Sequence, residues 1–319
     1  MDNAAFNRIR GSASAKELLH GDLTSGHVHH AYLFAGPAGV GKTILARAWA
    51  EILLSQSDPQ ADILMANNAH PDFFWISRAD GKTVITKEQI ADQLNVWLGY
   101  TPFRAGRRVG VIANAEFMSL EAANALLKTL EEPPANAVII LVANAWRRLL
   151  PTVVSRCQTV KFSPLADVEV EEVLQEAGVT ADEARSLAEL AGGNITLARA
   201  YAENGAMYWR ARAQGLLREL SANQRLAIFK CATELEQELE LLLPVLLHEL
   251  RLMVWQQRQL LPQKQVPDIL LEQNSPVNTV KLEQVLQNLS FWLQAAESNV
   301  NKQALSTALA WEIFALFAA

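Results

Sequence analysis

Cysteine is nearly absent: Cys157 and Cys231 are the only two in 319 residues, and they lie far apart in the chain. Two isolated thiols exclude a disulfide framework and a four-cysteine zinc site, and they fit a reducing cytoplasm. Long apolar runs are missing too. No stretch approaches the ~18 uninterrupted apolar residues of a membrane-spanning helix, and no N-terminal stretch resembles a signal peptide. A soluble cytoplasmic protein without a membrane partner is therefore expected. The chain also lacks an excess of positive charge, with 28 Lys and Arg against 34 Asp and Glu and a net charge of −6. Free-standing DNA binders draw most of their affinity from cations that neutralise phosphates, so any contact with nucleic acid must be local or shared. What the chain has in quantity is apolar character, half of all residues, enough at this length for two or three small cores.

The chain is organised around Gly36-Pro-Ala-Gly-Val-Gly-Lys-Thr43, which follows the apolar run 31–35 and leads into the helix-period segment 44–54. Strand, glycine loop and helix form the setting in which G-x-x-x-x-G-K-[ST] means a phosphate cradle. Gly36, Gly39 and Gly41 let backbone N–H groups turn toward an anion, Lys42 supplies a charge for the β and γ phosphates, and Thr43 offers its hydroxyl to Mg²⁺. ATP or ADP is the implied ligand.

Upstream, a helix is expected over 13–19, followed by His27, His29 and His30. The three histidines do not make a metal site, because no carboxylate or cysteine stands at ligand spacing and neighbours on a strand face opposite ways. Downstream, strands are expected over 73–77, 107–113, 138–143 and 159–162. Helices are expected from the Thr86–Gln89 capping box to about Gly99, over 119–132 and over 147–154. Alternating strands and helices imply a mostly parallel sheet, five-stranded, covered on both faces.

From Pro164 the pattern changes to short helices over 167–177, 181–190 and 195–203, and from Gly205 the sequence is helical over 211–220, 223–261, 280–296 and 302–318, with a loop near 263–278. The long helix must bend or restart near Pro244. The expected architecture is an α/β P-loop domain (1–163), a small helical lid (164–204) and an all-helical C-terminal domain (205–319). The eight tryptophans read most simply as core.

A P-loop ATPase also needs an acid at the end of a neighbouring strand to hold Mg²⁺, and commonly a second carboxylate to orient water. The strand 107–112 ends instead in Ala113 and Asn114, and Glu116 lies two residues further on, in a turn. Cradle and hydrolytic machinery have come apart.

His30-Ala-Tyr-Leu-Phe34, the string Asn124-Ala-Leu-Leu-Lys-Thr-Leu-Glu-Glu-Pro-Pro134 and Ser155-Arg156-Cys157 resemble the bacterial clamp-loader family, AAA+ proteins that load the replicative sliding clamp. Ala123, Leu126, Leu127 and Leu130 form the face of this helix expected to meet the sheet, with Lys128 turned elsewhere. The resemblance implies an AAA+ fold with lid and collar domains. It places the family's Asp-Glu pair on Ala113 and Asn114, the lid's Gly-Ser-x-Arg on Gly193-Asn-Ile-Thr196, a polar sensor on Asn144 and a trans-acting arginine finger on Arg156. With acids and lid arginine both replaced, the pattern resembles the family's non-hydrolysing stator subunit, with at most weak Mg²⁺-dependent ATP or ADP binding and no ATPase of its own. The implied partners are the gamma/tau-type ATPase and delta subunits, with the clamp and primed DNA reached through the complex. Relatives commonly carry a four-cysteine zinc module before His70-Pro-Asp72; residues 54–71 contain no cysteine, so no zinc is expected. Lys128 and the Arg104, Arg107, Arg108 group are candidates for facing DNA. An active ATPase subunit of the same loader, or an AAA+ remodelling enzyme outside replication, remain alternatives.

Overall fold

A computed structural model describes residues 4–7, 9–79, 81–222, 224–257, 279–296 and 301–317. The expected loop over 263–278 lies outside the described residues. The chain divides into two compact units, Met1–Glu169 and Val170–Ala319.

The first unit is built on five parallel strands: β1 (Ala31–Ala35), β2 (Phe73–Ile76), β3 (Arg108–Ala113), β4 (Ala137–Ala143) and β5 (Gln158–Lys161), in the order β2-β3-β4-β1-β5. Every residue of β1, β3 and β4 is buried, as parallel strands covered on both faces must be. Helix α1 (Ala13–Ser25) runs beyond its expected end and stops where Gly26 takes φ 73°. It is followed by α2 (Lys42–Ser55) and α3 (Ala61–Ala66).

Thr86 and Gln89 close the capping box in both directions: Thr86 N–H donates to Gln89 Oε1 at 3.0 Å and Gln89 N–H to Thr86 Oγ1 at 3.4 Å. The segment that follows is wound wider than expected, π-helical over Gln89–Asn95 before one α turn at Val96–Leu98. Ser119 caps α4 (Leu120–Glu131) by accepting the Ala122 N–H at 3.1 Å. This helix buries Ala122, Ala123, Leu126, Thr129 and Leu130, while Leu127 is only half-buried, so its buried face is rotated from the expected one. The single helix expected over 147–154 is instead a 3₁₀ turn (Trp146–Arg148) and a short α5 (Pro151–Val154), because the residue before Pro151 is pushed out of helical geometry: Leu150 has ψ 132°.

Helix α6 (Asp167–Glu176) carries the boundary between units. The second unit is helical throughout its described residues: α7 (Ala181–Ala191), α8 (Ile195–Ala202), α9 (Ala206–Ser221), α10 (Arg225–Gln257), α11 (Thr279–Ala296) and α12 (Lys302–Phe317). The interruption in α10 falls at Glu238 (φ −130°, ψ 31°), not at Pro244. Proline removes one N–H and crowds the carbonyl four residues back, that of Glu240, so it does not account for a break at Glu238. Trp49 and Trp209 are core, but Trp255 and Trp311 are exposed, against the expectation that all the tryptophans are buried.

Candidate functional site

The loop after β1 owes its path to two glycines. Gly36 N–H donates to Ala143 O at 3.4 Å, tying the loop to the end of β4, and a Cβ at Gly36 would stand 2.5 Å from Phe162 O. Gly41 has φ 88°, strained for any side chain, and hands the chain into α2. No side chain caps the start of α2, and the helix dipole favours negative charge there. Lys42 is 4% exposed and its Nζ donates to Pro37 O across the loop. Thr43 is exposed beside it, and Gly39 adopts φ 71°. Gly36, Gly39, Gly41, Lys42 and Thr43 thus lie on the one loop that joins the end of β1 to the first turn of α2.

At the end of β3, Ala113 is buried and Asn114 adopts a left-handed conformation, φ 53° and ψ 50°. Asparagine tolerates that region better than most residues. It turns the chain into a 3₁₀ segment, Ala115–Phe117, which carries Glu116 back toward the end of β4. Glu116 Oε1 accepts the N–H groups of Asn144 (3.0 Å) and Ala145 (3.4 Å). Its Oε2 is buried and has no hydrogen-bond partner. Asn144, the expected sensor position, is therefore held through its backbone by Glu116. A carboxylate does stand at the strand ends, delivered by a turn rather than by the strand.

Arg156 lies beyond α5, about one-third exposed. Its Nη2 is 2.7 Å from Glu131 Oε1 at the end of α4, and its Nη1 donates to Thr152 O at 2.9 Å. The neighbouring Cys157 is half-buried, and burial pushes its thiol up to about 12, which removes it as a nucleophile. In the second unit Asn194 caps α8, its Oδ1 accepting the N–H groups of Thr196 and Leu197 at 3.0 and 3.1 Å. The stretch matched to the lid motif therefore presents a cap and no cation.

The basic group proposed to face DNA is largely committed to the fold. Arg104 Nε is 2.6 Å from buried Asp58 Oδ2, and its Nη2 reaches Asp58 Oδ1 (3.1 Å) and Gln60 (2.9 Å). Arg108 is buried and donates to the carbonyls of Trp97 (3.0 Å) and Thr101. Asp72 beneath them accepts the N–H groups of Phe103, Arg104 and Ala105 at 2.7, 2.7 and 2.9 Å. Burial works to raise the Asp72 carboxyl, but those three N–H groups and Arg108 hold it below the usual range. His70 Nε2 lies 3.4 Å from Asp58, and burial lowers its basicity. Sequence reading missed this network because its partners are far apart in the chain. Lys128 is exposed, as its helical position implied. Of the three histidines, His30 Nε2 lies 3.1 Å from Leu130 O and the His29 ring meets Tyr32 edge-on. Among the described residues no group of three or more His, Cys, Asp or Glu is arranged to hold a metal, and no helix is long and apolar enough to cross a membrane.

A parallel sheet with its phosphate cradle at the end of a central strand defines a P-loop domain of the AAA+ type. Residues 11–166 match the family described as DNA polymerase III, delta subunit. Over that segment the chain resembles the bacterial clamp-loader family, the delta-prime subunit in particular. It is 40% identical over 136 residues to DNA polymerase III subunit delta' of Pseudomonas aeruginosa, covering 40% of this chain and 41% of that one. With subunit delta' of Bacillus subtilis it shares 33% identity over 181 residues, 54% of each chain. The matched segments thus span about half the length of these relatives. A solved DNA polymerase III gamma-subunit-related protein of Thermotoga maritima aligns over 95% of this chain and 99% of its own, at 18% identity and a TM-score of 0.45.

Proposed function

We propose that this chain is the non-hydrolysing, delta-prime-type stator subunit of a bacterial clamp loader, working with gamma/tau-type ATPase and delta subunits to load the sliding clamp on primed DNA. The observation that carries the proposal is a complete phosphate cradle facing a β3 end, Ala113 and Asn114, that has no acid. The cradle's residues suit a nucleotide: an uncapped helix start, glycine backbone at φ 88° and a lysine across the loop. Gly36, Gly39, Gly41, Lys42 and Thr43 would hold ATP or ADP weakly, with Asn144 at its edge. Mg²⁺, when bound, would neutralise charge on the β and γ phosphates. No carboxylate stands at the end of β3 to orient water, so the chain turns over no ATP by itself.

Its chemistry is done for a neighbour. An arginine delivered from the adjacent subunit stabilises charge on a transferring phosphoryl group, worth about 10³ to 10⁵ in rate where measured. Arg156 suits that part: it is partly exposed, planar and forked, and its ion pair is a surface one, cheap to exchange. Residues 164–204 would act as the lid and 205–319 as the collar through which subunits assemble. Reconstitution with purified gamma/tau-type and delta subunits, clamp and primed DNA tests the whole proposal. A stable complex that loads clamps is the result it requires, and a chain that stays outside the complex overturns it.

A further inference from the structure

We infer that Glu116 is the metal-facing acid of the nucleotide site, offering its free Oε2 to Mg²⁺ in place of the residue missing from the end of β3. The inference rests on the nucleotide-binding proposal and deepens it. Three observations support it. The carboxylate is fixed at one end only: Oε1 takes two backbone N–H groups, while Oε2 is buried without a partner. A buried carboxylate oxygen left without a partner is costly, and it is the kind of group that a cation or its water relieves.

The second observation is position. Ala143 O accepts the N–H of Gly36, and the next two residues, Asn144 and Ala145, donate theirs to Glu116. Three consecutive residues at the end of β4 thus link the first glycine of the cradle to this carboxylate.

The third is the turn itself. Left-handed Asn114 and the 3₁₀ segment after it bring a residue beyond the strand back to the strand ends. An ordinary continuation of the chain would leave a carboxylate two residues further on in solvent. Oxygen-rich sites with one or two carboxylates plus nucleotide phosphates are the usual setting for Mg²⁺, which keeps several of its waters. Binding a metal this way leaves hydrolysis unsupported, because no second acid is there to orient water.

The test is nucleotide affinity of the full-length chain, measured by calorimetry with ATP in EDTA and again in millimolar Mg²⁺, for wild type and Glu116→Gln. The glutamine retains an oxygen for the Asn144 and Ala145 N–H groups and removes only the charge. Wild type should bind about tenfold more tightly with Mg²⁺ than without. Glu116→Gln should bind equally in both conditions, at the wild-type EDTA value. A manganese titration followed by electron paramagnetic resonance should show the same loss of nucleotide-dependent metal binding. A Mg²⁺ gain that survives in Glu116→Gln overturns the inference and leaves nucleotide binding standing. Wild type that binds no ATP in either condition overturns the nucleotide proposal, and this inference with it.

Discussion

Arg156 Nη2 lies 2.7 Å from Glu131 Oε1, joining the chain just beyond α5 to the last turn of α4. Arg156 is 36% exposed and Glu131 51%, so water screens the pair heavily. Such pairs contribute about 0–1 kcal/mol. Arg156→Ala and Glu131→Gln should each change the unfolding free energy by less than about 1 kcal/mol in urea denaturation. A loss of several kcal/mol in either variant would make Arg156 a structural tie rather than a group held ready for another subunit.

The isolated chain should turn over ATP at background, with or without DNA. Binding at the proposed cradle would not suffice, because Ala113 and Asn114 cannot supply the strand-end acids. Steady-state turnover on the order of 1 s⁻¹, abolished by Lys42→Ala, would assign the chain to the ATPase subunits instead.

Arg104 donates to Asp58 through two nitrogens and holds its carboxyl down to about 2, helped by the Gln60 N–H. The sign follows from proton counting: between about pH 4 and pH 2 the unfolded chain takes up a proton that folded Asp58 refuses, so stability falls as pH falls through that window. Urea denaturation at pH 5, 4 and 3 should show this loss in wild type and a flatter profile in Arg104→Gln. Parallel profiles for the two proteins would separate Asp58 from the acid dependence.

Helix α12 has a buried face and an exposed one. Leu309 is fully buried, so Leu309→Ala should cost about 2–5 kcal/mol in unfolding free energy. Trp311 is 55% exposed and lines a shallow groove with Phe229, Thr307 and Ala308. Trp311→Ala should leave the melting temperature within a few degrees and weaken co-assembly with the other loader subunits in size-exclusion chromatography. Unchanged assembly would move the collar surface elsewhere.

The parts of this structure that were legible in sequence are local ones. The glycine loop between β1 and α2 was readable because its geometry is imposed by glycines within eight residues. The strands β1, β3 and β4 were readable because burial on both faces demands unbroken apolar runs. Glu116 was only half-legible: its type was visible, but its delivery depends on the left-handed Asn114, a conformation sequence does not dictate. The Asp58–Arg104 pair spans 46 residues and has no local signal. The break in α10 was expected near Pro244, yet it falls at Glu238, and the proline's own geometry does not account for it. Trp311 was assigned to the core on hydrophobicity, although an exposed tryptophan has equal use at an interface.

The most direct measurement is ATPase activity of the fully assembled loader, stimulated by clamp and primed DNA, with this subunit supplied as wild type, Lys42→Ala or Arg156→Ala. A subunit that completes its neighbour's site without working one of its own predicts wild-type turnover with Lys42→Ala. Arg156→Ala should lose the share contributed by the adjacent site, with little recovery in Arg156→Lys because a point charge does not reproduce the guanidinium fork. Full activity with Arg156→Ala, or a loss with Lys42→Ala alone, would contradict the account.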